Sequence, residues 1–109
     1  MKLINYDGGD WLIDDEMAGV LIEYSVVMAR QNSADSVQLN ALTTEGAALQ
    51  VNLVLGPATM MTSRSTDAPF DEPDNSAALA EVREHIDAIE SPPSVLPAAP
   101  DESISEYEL

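Results

Sequence analysis

Few side chains in this sequence can do chemistry: one histidine, His85, the cations Lys2, Arg30, Arg64 and Arg83, and a large excess of carboxylates. As a general base His85 needs a nucleophile or a substrate pocket, and as a metal ligand it needs further histidines or thiolates. The sequence offers neither a second histidine nor any cysteine. His85 stands beside Val82, Ile86 and Ile89, the position of a histidine on the surface or at the edge of a packed helix seam. No serine lies in a Gly-x-Ser-x-Gly elbow, and Gly8-Gly9 and Gly56 lack the downstream Gly-Lys-Ser/Thr of a phosphate loop. Lysine chemistry would fall to Lys2, at the mobile end of the chain. The run Asp7, Asp10, Asp14, Asp15 and Glu16 is rich in oxygen ligands, but a calcium loop alternates its ligands at every second residue before a glycine. Turn and cap formation account for all five. Paired carboxylates alone can hydrolyse a glycosidic bond, yet a small body with few aromatics is a poor place for a sugar cleft. No catalytic, cofactor-binding or metal-binding residue is assigned, and the chain is expected not to be an enzyme.

Two sets of residues are candidates for contact instead. One is the acidic segment Glu81, Glu84, Asp87 and Glu90 together with Ile104, Tyr107 and Leu109, spaced apolar anchors among acids in the manner of a short motif that orders on a partner. A purely solubilising tail is the competing reading. The other set is Gln38, Asn40, Gln50 and Asn52, which share one sheet face if their strands pair across the Thr43–Gly46 turn. An uncharged amide surface on so acidic a chain avoids desolvating carboxylates. An ordinary wet face of a one-sided antiparallel sheet would look the same.

The elements that must position these residues follow from periodicity. Leu3–Tyr6 and Trp11–Ile13 flank Asp7-Gly8-Gly9-Asp10, a tight hairpin turn. Asp14 stands at a helix N-cap with Asp15 and Glu16 in the first turn, and the helix is expected to run from about Asp15 to Asn32. Met17, Leu21, Tyr24 and Met28 form its main stripe, Ala18, Ser25 and Ala29 a stripe of small residues, and Glu16, Gly19, Glu23 and Arg30 the wet face bordered by Val20 and Val27. So wide an apolar arc requires cover from a second helix or a second subunit. Ser33–Asp35 is a break, 36–42 alternates as a strand, and Leu49, Val51, Leu53 and Leu55 alternate against Ala48, Gln50, Asn52 and Val54 in a second. Gly56-Pro57 ends that strand, and 58–64 is a further candidate strand with Met60 and Met61 on opposite faces. Residues 65–75 read as a loop that tucks Phe70 against the core. Pro73-Asp74-Asn75-Ser76 then caps a second helix over about 77–90, with Leu79, Val82, Ile86 and Ile89 as its docking seam.

These elements describe an α+β domain over residues 1–90: an antiparallel sheet of four or five strands, the long helix across one face and the short helix beside it. Residues 91–109, rich in proline and acids, are expected to be a disordered tail. A formal charge of -16 repels phosphates and anionic headgroups, so direct nucleic acid and membrane-surface binding are disfavoured and basic partners favoured. The start, Met-Lys-Leu-Ile, turns polar at Asn5, too early for a signal peptide, and with no cysteine the expected address is cytoplasmic. The functional expectation is a small, non-catalytic interaction or regulatory module for a basic protein partner, with no cofactor and with homodimerisation left open. Two alternatives remain: a nucleic acid mimic that occupies a DNA-binding protein, and a small-molecule binder or hydrolase with a pocket near Tyr6, Trp11 or Tyr24.

Overall fold

The chain has 109 residues, and the structure, a computed structural model, describes residues 1–90. The strands are β1 (Lys2–Tyr6), β2 (Gly9–Ile13), β3 (Asp35–Leu42), β4 (Ala48–Leu55) and β5 (Met61–Ser65), and the helices are α1 (Asp15–Arg30) and α2 (Ser76–Glu90). All five strands pair antiparallel in the order β4-β3-β2-β1-β5. The expected α+β architecture is therefore present. The proposed tail anchors Ile104, Tyr107 and Leu109 lie outside the described residues.

Local chemistry explains the boundaries. The β1–β2 turn is tighter than the four-residue turn expected: Tyr6 pairs with Gly9, and Asp7 (φ 50) and Gly8 (φ 83) are the two turn residues. Two successive positive φ values make the turn whose twist matches that of the strands it joins. Asp14 caps α1 by accepting from Met17 N at 3.1 Å, and α1 ends at Arg30, two residues before Asn32 turns to φ 51. β5 begins at Met61, three residues later than expected. The preceding Gly56-Pro57-Ala58-Thr59 folds back on itself, with Gly56 N donating to Thr59 Oγ1 at 2.7 Å and Thr59 N donating to Gly56 O. Met60 is left exposed.

The core lies between one face of the sheet and α1. It joins Ile4, Ile13, Val37, Leu39, Leu53 and Leu55 to Met17, Leu21, Tyr24 and Met28, and Val82 and Ile86 of α2 close its flank. The wide arc of α1 is thus covered within the chain, and Val20 and Val27 are buried. The small-residue stripe is only partly used: Ala18 is buried and Ala29 faces water. Phe70 packs on the β3–β4 turn and not on this core. A Cβ on Gly46, whose φ is 94, would stand 2.6 Å from the Phe70 ring, so the position requires glycine twice over.

The sheet is split. β2 and β3 pair only at Leu12↔Leu42, both buried, and beyond that point the strands diverge. Tyr6 of β1 nevertheless places its hydroxyl 2.8 Å from Val54 O and 3.1 Å from Val54 N, on β4. Three interstrand spacings, about 14 Å in a flat sheet, exceed the reach of a tyrosine, so the sheet is curled. Val54 offers both backbone groups to Tyr6 because they point away from β3.

The split exposes Asn40 N–H and C=O on the β2 side of β3. Asn75, buried at the start of α2, fills the gap with its carboxamide. Its Oδ1 accepts from Asn40 N at 2.7 Å, and its Nδ2 donates to Asn40 O at 2.8 Å and to Asp14 Oδ1 at 2.9 Å. Its own carbonyl accepts from Leu79 N, the first bond of α2. One side chain thus joins β3, the cap of α1 and the first turn of α2. Replacing it by Asn75→Ala leaves partly buried backbone groups unpaired and is expected to cost about 2–3 kcal/mol, read as a lower urea midpoint at unchanged slope. Asn75→Asp, which cannot donate and faces Asp14, is expected to cost at least as much at neutral pH.

Candidate functional site

Because α2 is anchored at Asn75 beside β3, it runs alongside the outer face of the β3–β4 hairpin and leaves a cleft of ≈ 500 Å³ between them. The hairpin register pairs Gln38 with Asn52 and Asn40 with Gln50, so the four amides singled out in the sequence do meet. Gln38 Nε2 donates to Gln50 Oε1 at 3.1 Å, Gln50 Nε2 donates to Asn40 Oδ1 at 3.4 Å, and Asn40 Nδ2 donates to Asp74 O at 2.9 Å. This ladder forms the cleft floor. Ala77, Ala78, Glu81 and His85 of α2 form the facing wall, with Asp35 and Asp74 also on the lining.

The acidic candidates of α2 are divided by this arrangement. Glu81 lines the cleft, whereas Glu84, Asp87 and Glu90 are exposed but not on its lining. Arg83 lies 3.8 Å from Glu16 of α1, an exposed pair that adds little to stability.

Beside the cleft is a cluster that periodicity alone did not reveal. Tyr24, on the buried stripe of α1, donates from its hydroxyl to Asp35 Oδ2 at 2.6 Å, and His85 Nδ1 lies 3.3 Å from the same hydroxyl. Asp35 also accepts from Ser36 N at 2.8 Å, and its Oδ2 is 3.6 Å from His85 Nδ1. Burial, followed by the hydrogen bond to Asp35, pushes the Tyr24 phenol well above its ordinary pKa. A neutral, donating Tyr24 therefore holds the first residue of β3 against α1 and α2. At Asp74, the backbone N–H and hydroxyl of Ser76 hold the carboxyl below its ordinary range.

The other sequence candidates are dispersed. Asp10 accepts from Asn5 Nδ2 at 2.8 Å, Asp14 caps α1, and Asp15 lies 3.1 Å from the α-amino group of Met1. Among the described residues no three histidine or acidic side chains converge as a metal site, and no helix is long and apolar enough to cross a membrane. A shallower depression of ≈ 440 Å³ lies beside Tyr6 and the Gly56–Met60 turn. The gap lined by Trp11, Ile13 and Leu21 has no room for water.

Comparison of the chain with protein-family models, curated proteins and solved structures gave no match.

Tyr24→Phe removes the donor to Asp35 and is expected to lower stability by about 1–2 kcal/mol at neutral pH. Because the folded-state pKa is raised, the contribution of Tyr24 is fully present below the ordinary phenol value of about 10 and is lost as pH rises above it. Urea unfolding from neutral to strongly alkaline pH checks this: the native protein should lose stability more steeply above about pH 10 than Tyr24→Phe. Parallel curves would show that the phenol is not held neutral.

Proposed function

We propose that this chain is a non-catalytic interaction module that binds a basic protein partner on the side of the molecule that carries α2. The observation that supports this is the charge of the cleft: among its lining residues every formally charged group, Asp35, Asp74 and Glu81, is acidic, and neither lysine nor arginine is present. Glu84, Asp87 and Glu90 extend the negative surface along α2, and in this reading Ile104, Tyr107 and Leu109 add anchors beyond it. The uncharged amide floor gives a partner hydrogen-bonding groups whose desolvation costs far less than that of carboxylates. The reading places the protein in the cytoplasm, where its charge also disfavours direct contact with nucleic acid and membrane surfaces.

Position of charge, and not net charge, is the property to test. One variant converts Glu81, Glu84, Asp87 and Glu90 to Gln or Asn, and a second neutralises the exposed acids Asp7, Glu23, Asp67 and Asp71 in the same way. Both are titrated with poly-lysine by calorimetry. The α2 variant is expected to weaken binding by about tenfold and the control by about threefold or less, with affinity falling as salt is raised. Equal losses would mean that the acidity serves solubility alone.

A further inference from the structure

We infer that the cleft between α2 and the β3–β4 amide ladder is a receptor for an arginine side chain, presented by an extended segment of the basic partner. This inference rests on the proposed function and deepens it by naming the recognised group and its seat.

The geometry points to a cation. Glu81, Asp35 and His85 stand on the lining of one cleft, with no lysine or arginine among the lining residues. Asp35 already accepts from Tyr24 and Ser36, but a carboxylate has about four acceptor sites, so capacity remains for an incoming donor. The buried Tyr24 and the Ser36 amide hold that carboxylate in place, which reduces the ordering cost of binding. Glu81 supplies the opposing charge from the helix.

The amide floor distinguishes arginine from lysine. Gln38, Asn40, Gln50 and Asn52 carry carbonyl oxygens along two paired strands. Those of Asn40 and Gln50 each accept one bond within the ladder and keep one lone pair, and a guanidinium presents five donors in a planar fork that matches several such acceptors at once. An ammonium is compact and strongly hydrated, and the cleft is open enough for it to remain so. Gln38, Asn40 and Gln50 each already donate one N–H and keep a second for a carbonyl of the presented segment. The cleft excludes anions by the same charges, which separates this site from a phosphate or carboxylate receptor.

The test uses the full chain and two octapeptides, one of alternating Gly and Arg and one of alternating Gly and Lys, blocked at both ends. Binding is followed by two-dimensional NMR, in which the side-chain amide signals of Gln38, Asn40, Gln50 and Asn52 report on the floor directly. The arginine peptide is expected to shift these signals and to bind about threefold to tenfold tighter than the lysine peptide. Glu81→Gln should weaken it about fivefold while Glu84→Gln, which removes the same charge one turn away, should change it by less than about twofold. Asn52→Lys, which places an ammonium on the floor, should abolish the arginine preference without unfolding an exposed strand position. If both peptides bind equally and Glu81→Gln and Glu84→Gln weaken them alike, the arginine seat is wrong and the broader reading of an acidic surface stands. If neither peptide binds at low salt, both are wrong.

Discussion

The position of α2 depends on the buried carboxamide of Asn75. The sheet curls enough for β1 to reach β4 and is open between β2 and β3 beyond Leu12↔Leu42, and the opening leaves a peptide group on β3 without a strand partner. Asn75 offers both a donor and an acceptor in the plane of its amide, so it pairs with Asn40 as a neighbouring peptide would. Its remaining N–H goes to Asp14, whose other oxygen caps α1. Leucine at this position would leave the Asn40 groups unpaired, and aspartate would repel the Asp14 cap.

From that anchor the cleft follows. α2 leaves Asn75 with its apolar seam on the core and its Glu81–His85 side toward the hairpin, while the Tyr24–Asp35 bond ties the far end of β3 to α1. Both polar links are partly buried; the first joins elements distant in sequence and the second the consecutive elements α1 and β3. The amide ladder and the acidic wall are therefore held at a set separation by bonds within the fold, and preorganisation of this kind lowers the ordering cost of any contact made there.

How much of this was legible in the sequence depends on the range of the interaction. Strand alternation in β3 and β4 gave the amide face, because a period of two places Gln38, Asn40, Gln50 and Asn52 on one side whatever else the chain does. The α1 cap, the β1–β2 hairpin and the α2 seam were legible for the same reason, each being local. The sequence marks Asn75 only as a capping residue, since a side chain that leaves its own helix to complete another strand has no sequence signature. The apolar stripe places Tyr24 in the core, where its ring lies, but a buried phenol must find a partner, and that requirement is a usable signal. Local pattern places Asp35 in a break and His85 at a helix edge, and only the packing of α1 against α2 brings them together. β5 starts later than the hydrophobic pattern predicts because the Gly56–Thr59 fold depends on a threonine hydroxyl.

The exchange of one backbone proton tests the central claim most directly. If the Asn75 carboxamide completes β3, the Asn40 amide proton should exchange with solvent deuterium as slowly as the β3–β4 ladder amides. Exchange of Asn40 at the rate of an exposed turn residue, with the ladder still protected, would contradict it, and the placement of α2 over the cleft would lose its physical basis.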